Sequence, residues 1–285
     1  MMKVYSGITF FRFFGMLLAI FCLSGTAVFA QDKNDKQYKK RDFCSSNNYS
    51  YNDKVSYKET REMTMNAGSF LNVDGLRNGG IQIKGENRSD VLIRACVQTT
   101  GATEQEAQTI AKNIRIETSP NVRAENAPDD GVWGVSYEIL VPRSTNLKLT
   151  ALNGGISISG VEGTMEFQTQ NGGISLSNVA GDVKGKTKNG GVSVALSGSS
   201  WKGSGLDVET TNGGVHLSIP ETYAARIETG TVNGGFKSDI AALNIERNER
   251  TRAVRLNTEI NGGGAPVRVV TTNGGVKISS FVKNL

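Results

Sequence analysis

The stretch that decides the fold is Thr169-Gln170-Asn171-Gly172-Gly173-Ile174-Ser175-Leu176-Ser177. Ile174 and Leu176 alternate with serines, the period-two pattern of a strand with one buried face. Ahead of it Met165-Glu166-Phe167 alternates in the same way. Between the two lies Asn-Gly-Gly. Asn and Gly tolerate the positive φ angles of tight turns, so the triplet predicts a corner.

The signature recurs along the chain. Asn-Gly-Gly begins at Asn78, Asn153, Asn171, Asn189, Asn212, Asn233, Asn261 and Asn273. Three residues after the Asn come Ile81, Ile156, Ile174, Val192, Val215, Phe236 and Val276, with Gly264 the exception. The fifth position is aliphatic except at Ser238 and Pro266, and Thr169, Thr187, Thr210, Thr231 and Thr271 stand two before the Asn. Asn-Gly between alternating strands is also a hairpin signal, which would give a meander. Repetition at similar spacing favours a stack instead. A rung of about 20 residues cannot bury its own apolar face, but neighbouring rungs can bury it together. The expectation is an all-β chain: a β-solenoid or β-helix-like stack of short strands with Asn-Gly-Gly corners, the Asn side chains sharing hydrogen bonds up the stack. Glu166, Lys184, Asp207 and Glu228 fall five residues before successive Asn residues. In register, Lys184 would be flanked by Glu166 and Asp207.

Four segments follow. Residues 1–30 carry Lys3 and Arg12, an apolar run from Phe13 to Val28 and a small residue at Ala30, the order of a cleaved export signal. The alternative, a membrane anchor, is disfavoured because the run is short of the roughly 20 residues a spanning helix needs. Cys22 follows the bulky Phe21, which argues against a lipoprotein cysteine. Residues 31–58 are polar, with Lys39-Lys40-Arg41, and read as a linker or leader. Residues 59–150 are β-rich with one short helix near 103–113, which Thr103 can cap. Residues 151–285 are the solenoid repeats. Loss of residues 1–30 removes Lys3 and Arg12 and lowers the net charge from +5 to +3, too little to argue for nucleic acid. Cys44 and Cys96 then remain, either as free thiols or as the disulfide expected of an exported chain.

Four stretches carry a family resemblance: Leu71-Asn72-Val73-Asp74-Gly75, Tyr137-Glu138-Ile139-Leu140-Val141-Pro142, Leu147-Lys148-Leu149-Thr150-Ala151-Leu152-Asn153-Gly154-Gly155, and the later Thr-x-Asn-Gly-Gly repeats. Over about residues 60–280 the chain resembles a bacterial family of adhesin-labelled proteins with β-strand repeats. That resemblance implies a β-solenoid, an exported setting in the periplasm, at the cell surface or outside the cell, and a binding or structural role without catalytic residues. Asn-Gly-Gly often stands here where the family pattern has Asn-Gly-Asp.

The chemistry-bearing residues agree with a non-enzymatic role. His216 alternates with Val215 and Leu217 and is expected to face outward as an ordinary surface residue. No Cys/His cluster suggests zinc, and no cofactor is implied. The alternative is a carbohydrate-active lyase or hydrolase on a β-helix. It would need two carboxylates flanking the bond, for which Asp129 with Asp130, or Asp207 with Glu209, are the candidates. For ligand contact, Lys184, Lys186 and Lys188 form a basic stripe on one strand face, while Trp133 and Trp201 lie in glycine-rich loops where they could stack on sugars. Trp201 is the better placed of the two. The expected partner is a glycan or another cell-surface component, with no nucleic acid and no transmembrane segment after cleavage.

Overall fold

Period-two alternation is realised as strands that feed two sheets by turns. The computed structural model describes residues 43–44, 54–128, 133–243 and 253–282. The export signal read over residues 1–30, most of the 31–58 leader, and Asp129 and Asp130 lie outside the described residues. In chain order the strands are β1 (Val55–Asn66), β2 (Phe70–Asp74), β3 (Ile81–Glu86), β4 (Asp90–Gly101), β5 (Arg115–Glu117), β6 (Val122–Glu125) and β7 (Trp133–Pro142). They continue with β8 (Asn146–Ala151), β9 (Ile156–Ser159), β10 (Glu162–Asn171), β11 (Ile174–Ser177), β12 (Ala180–Asn189), β13 (Val192–Ala195) and β14 (Gly205–Asn212). Last come β15 (Val215–Pro220), β16 (Ala225–Asn233), β17 (Phe236–Ser238), β18 (Val254–Ile260), β19 (Pro266–Asn273) and β20 (Val276–Phe281). The leader's last residues thus already belong to β1.

One ten-stranded sheet, the pre-corner sheet, is ordered β18-β16-β19-β14-β12-β10-β8-β2-β6-β5, and all but β5 and β6 precede a corner. The other is ordered β1-β4-β7-β3-β9-β11-β13-β15-β20-β17, and all but β1, β4 and β7 follow a corner. Neighbouring repeats pair in parallel, as β10 with β12 and β11 with β13. Parallel pairing excludes the hairpin meander, because a hairpin joins antiparallel strands. The molecule is all-β apart from α1 (Glu104–Asn113) and one short 3-10 turn among the described residues.

The core lies between the sheets. Ile156, Ile174, Val192, Val215 and Val276 are each at most 2% exposed, and from the opposite sheet Met165, Val183, Leu206, Val267 and Ile227 match them. Phe167 fills the space over Gly185, where a Cβ would fall 1.9 Å from its ring. Helix α1 lays Ala107 and Ala111 against β1 and β4. Thr103 caps it, accepting from the Glu106 amide at 3.2 Å. The Arg61 guanidinium donates to the carbonyls at its C-terminal end, including that of Ala111 at 2.7 Å. Cys44 and Cys96 form a disulfide, which ties the residues before β1 to β4. On the outer face, the nearly buried Glu138 accepts from Lys84 and Arg94, and Arg94 also pairs with Glu62.

The corners differ from expectation in their reason for being glycine. Within the eight triplets, positive φ occurs only at Asn261, Gly262 and Gly263. At the other corners the first glycine is required by close approach: a Cβ on Gly172 would sit 2.1 Å from the Gly154 carbonyl oxygen, and one on Gly213 would sit 2.0 Å from that of Gly190. The Asn side chains form the expected ladder. Asn153 donates to Asn78 at 3.2 Å, Asn171 to Asn153 at 2.7 Å, Asn189 to Asn171 at 2.8 Å and Asn212 to Asn189 at 2.9 Å. Asn273 then donates to Asn212, and Asn233 to Asn273, each at 2.8 Å. Beside it runs a threonine column: Thr169, Thr187, Thr210 and Thr271 are buried and each donates to the first-glycine carbonyl of the adjacent rung at 2.7 Å.

Two expectations are corrected by this ladder. Asn261 is not one of its rungs: it turns the chain from β18 into β19 and donates instead to the carbonyls of Glu221 and Tyr223, both at 2.9 Å. The stacking order also departs from chain order, since β19 and β20 are inserted between the Asn212 and Asn233 rungs. The charges give a physical reason. Without the insertion Asp207 would neighbour Glu228, whereas Arg268 now lies between them. The outward row then reads Lys148, Glu166, Lys184, Asp207, Arg268, Glu228 and alternates in sign at every step.

Candidate functional site

The outer face of the pre-corner sheet holds a trough of about 1010 Å³. Its floor is made by the outward residues of β12, β14, β19 and β16, and β18 supplies one bank. β18 runs antiparallel to β16, and Gly230 permits its close approach, since a Cβ there would fall 2.3 Å from the Val254 carbonyl oxygen. Lys186, Lys188, Glu209, Arg255, Arg268 and Thr272 are among the lining residues. Strand register places Lys186, Glu209, Val270, Gly230 and Arg255 in one row across the sheet.

The sequence-derived candidates divide around this trough. Lys186 and Lys188 project into it. Lys184 belongs to the alternating row, where its Nζ lies 3.6 Å from Asp182 of its own strand and forms no ion pair with Glu166 or Asp207. Trp201 is 7% exposed, packs into the core and donates its indole N–H to the Gly181 carbonyl at 3.0 Å. Trp133 is 8% exposed and donates to Pro128 at 2.8 Å. Trp201 keeps its loop position between β13 and β14, whereas Trp133 opens strand β7, and both side chains are buried.

Asp207 and Glu209 share an outward face as expected, and Arg268 engages both: Asp207 directly, and Glu209 at 3.7 Å. His216 is half-buried, with its Nε2 3.0 Å from Ser279 Oγ. Among the described residues no cluster of His, Cys, Asp and Glu has the arrangement of a metal site, and no helix is long and apolar enough to cross a membrane. Arg255 and Arg268 were not singled out from the sequence. Both reach the trough only because β18 and β19 lie beside β16 and β14, a neighbourhood that repeat spacing does not encode.

The model of the Toastrack DUF4097 family matches residues 76–279. No curated protein matches the chain. Among solved structures, it is similar to a candidate cell adhesion protein from Clostridium sporogenes (11% identity, TM-score 0.42), covering 78% of this chain and 100% of that one. It is also similar to a candidate adhesin from Bacteroides fragilis (11% identity, TM-score 0.39), covering 78% of this chain and 97% of that one.

Proposed function

We propose that this chain, which belongs to the Toastrack DUF4097 family, is an exported, non-catalytic binding module of the cell envelope, and that it engages a cell-surface glycan along the trough of the pre-corner sheet. The observation that carries this reading is the trough itself: an open groove on a mostly parallel sheet, lined by cations, hydroxyls and amides among aliphatic residues and two carboxylates, Glu209 and Glu228. Sites of this kind orient a ligand through a few placed polar groups. The Cys44–Cys96 disulfide supports an oxidising compartment, in keeping with the export signal read over residues 1–30.

The test is a panel of immobilised polysaccharides presented to the processed protein, with reducing and unsaturated ends assayed in parallel. Retention without new ends is expected. Release of ends would replace the binding role with that of a carbohydrate-active enzyme, and failure to bind any polysaccharide would remove the glycan role. Cell fractionation with protease shaving tests the setting: recovery in the cytosol contradicts export.

A further inference from the structure

We infer that the trough selects an anionic linear polysaccharide, held by Lys186 and Lys188 on one side and Arg255 on the other; this rests on the trough being a glycan site. The starting point is an imbalance. The row from Lys148 to Glu228 alternates in sign at all six positions, so its charges are compensated within the sheet. The rows that line the trough are not compensated. Four cations lie there, Lys186, Lys188, Arg255 and Arg268, against Glu209 and Glu228. Arg268 is committed to Asp207 and Glu209, and Glu228 is paired with Arg226 at 3.2 Å. Among the described residues, Lys186, Lys188 and Arg255 have no carboxylate within ion-pair distance. Lys186 and Lys188 therefore add an unpaired positive potential to one side of the trough and Arg255 to the other, which an incoming anion would neutralise.

Geometry narrows the anion's class. Lys186 and Lys188 lie two residues apart on one strand, a separation of about 6.7 Å. Arg255 lies in the same row as Lys186, four strand steps away, on the order of 19 Å along the sheet. Glu209, Val270 and the side-chain-free Gly230 lie between, and Arg268 offsets the Glu209 carboxylate at 3.7 Å, so an extended chain can pass from one cationic group to the other. Gln168, Gln170, Thr211, Thr272 and Asn257 offer amides and hydroxyls to sugar hydroxyls. No aromatic residue is among the described residues that line the trough, whereas single-stranded nucleic acids are held largely by stacking on aromatic side chains.

Titration of the processed protein with polygalacturonate, with dextran and with a thymidine oligonucleotide tests this. Polygalacturonate should bind, more weakly as salt rises, and dextran and the oligonucleotide should not. The K186Q/K188Q/R255Q variant should lose affinity by roughly ten-fold, with unchanged circular dichroism and melting temperature, while K184Q binds like the parent. Equal binding of dextran overturns the anionic preference and leaves the glycan site standing. Preference for the oligonucleotide, or undiminished binding of polygalacturonate by a folded triple variant, also overturns it. Failure to bind either polysaccharide overturns both readings.

Discussion

A Cβ on Gly172 would lie 2.1 Å from the carbonyl oxygen of Gly154, whereas one on Gly173 would lie 3.2 Å from that of Gly191. The two glycines of a corner are therefore unequal. The first is held between rungs at the ladder spacing, and no neighbouring side chain can yield, because the obstruction is backbone. Gly172→Ala should destabilise by at least about 2 kcal/mol and Gly173→Ala by less than about 1 kcal/mol, as overpacking costs depend on what can move. Chemical denaturation of the two variants checks this, and equal losses would show that the corner is conformationally limited instead.

Asn212 occupies the middle of the amide ladder, donating to Asn189 and accepting from Asn273. Asn212→Ala removes both links. Because the ladder is exposed to solvent, the loss should be about 1 kcal/mol, read as a fall in melting temperature with the circular dichroism spectrum retained.

Lys184 has Glu166 and Asp207 as lateral neighbours and Asp182 at 3.6 Å. Lys184→Glu should cost about 1 kcal/mol by setting four carboxylates together. Adding Glu166→Lys should restore part of that. Asp182 and Asp207 limit the rescue. A double-mutant cycle without coupling contradicts the register.

Glu138 supplies a pH dependence. Burial alone would raise its pKa, but the hydrogen bonds from Lys84 and Arg94, with their charges, outweigh burial and hold it below the ordinary carboxylate value. A group depressed in the folded state stabilises above its unfolded pKa and loses that contribution as pH falls through its folded pKa. Stability should therefore decline as the solution is acidified below about pH 4.5. Glu138→Gln should be less stable at neutral pH and should lack this part of the acid-side slope when unfolding is followed from pH 7 to pH 3.

The disulfide closes a loop with a sequence separation of 52. Chain-entropy reasoning assigns such a loop about 4 kcal/mol. The C44A/C96A variant should lose up to that amount, and reductant should lower the melting temperature of the parent but not of the variant.

How much of this was legible in the sequence depends on whether an interaction repeats. Ile174, Leu176 and Thr169 face inward as their alternation and spacing require, because parallel stacking imposes one environment on each repeat position. The order of the last two rungs was not legible. Thr231-x-Asn233 and Thr271-x-Asn273 carry the same signature, so a periodic pattern is indifferent to which rung lies inside. Only the sign of Arg268 between Asp207 and Glu228 distinguishes them. Arg255 was missed for the same reason. The burial of Trp201 was not legible, because glycines around an aromatic residue suggest an exposed loop. Here the loop folds the indole back onto the Gly181 carbonyl.

The inserted final rung sets a schedule for the chain's biogenesis. Synthesis delivers residues in order, yet the place between the Asn212 and Asn233 rungs is filled by β19 and β20, which emerge after both its neighbours. The growing solenoid cannot extend by simple addition past Pro220. The antiparallel β16–β18 pair must wait, or dock and be displaced, until Pro266–Phe281 has been synthesised. A chain stopped short of residue 266 would present two matching parallel edges, the kind of surface on which strands of other molecules add.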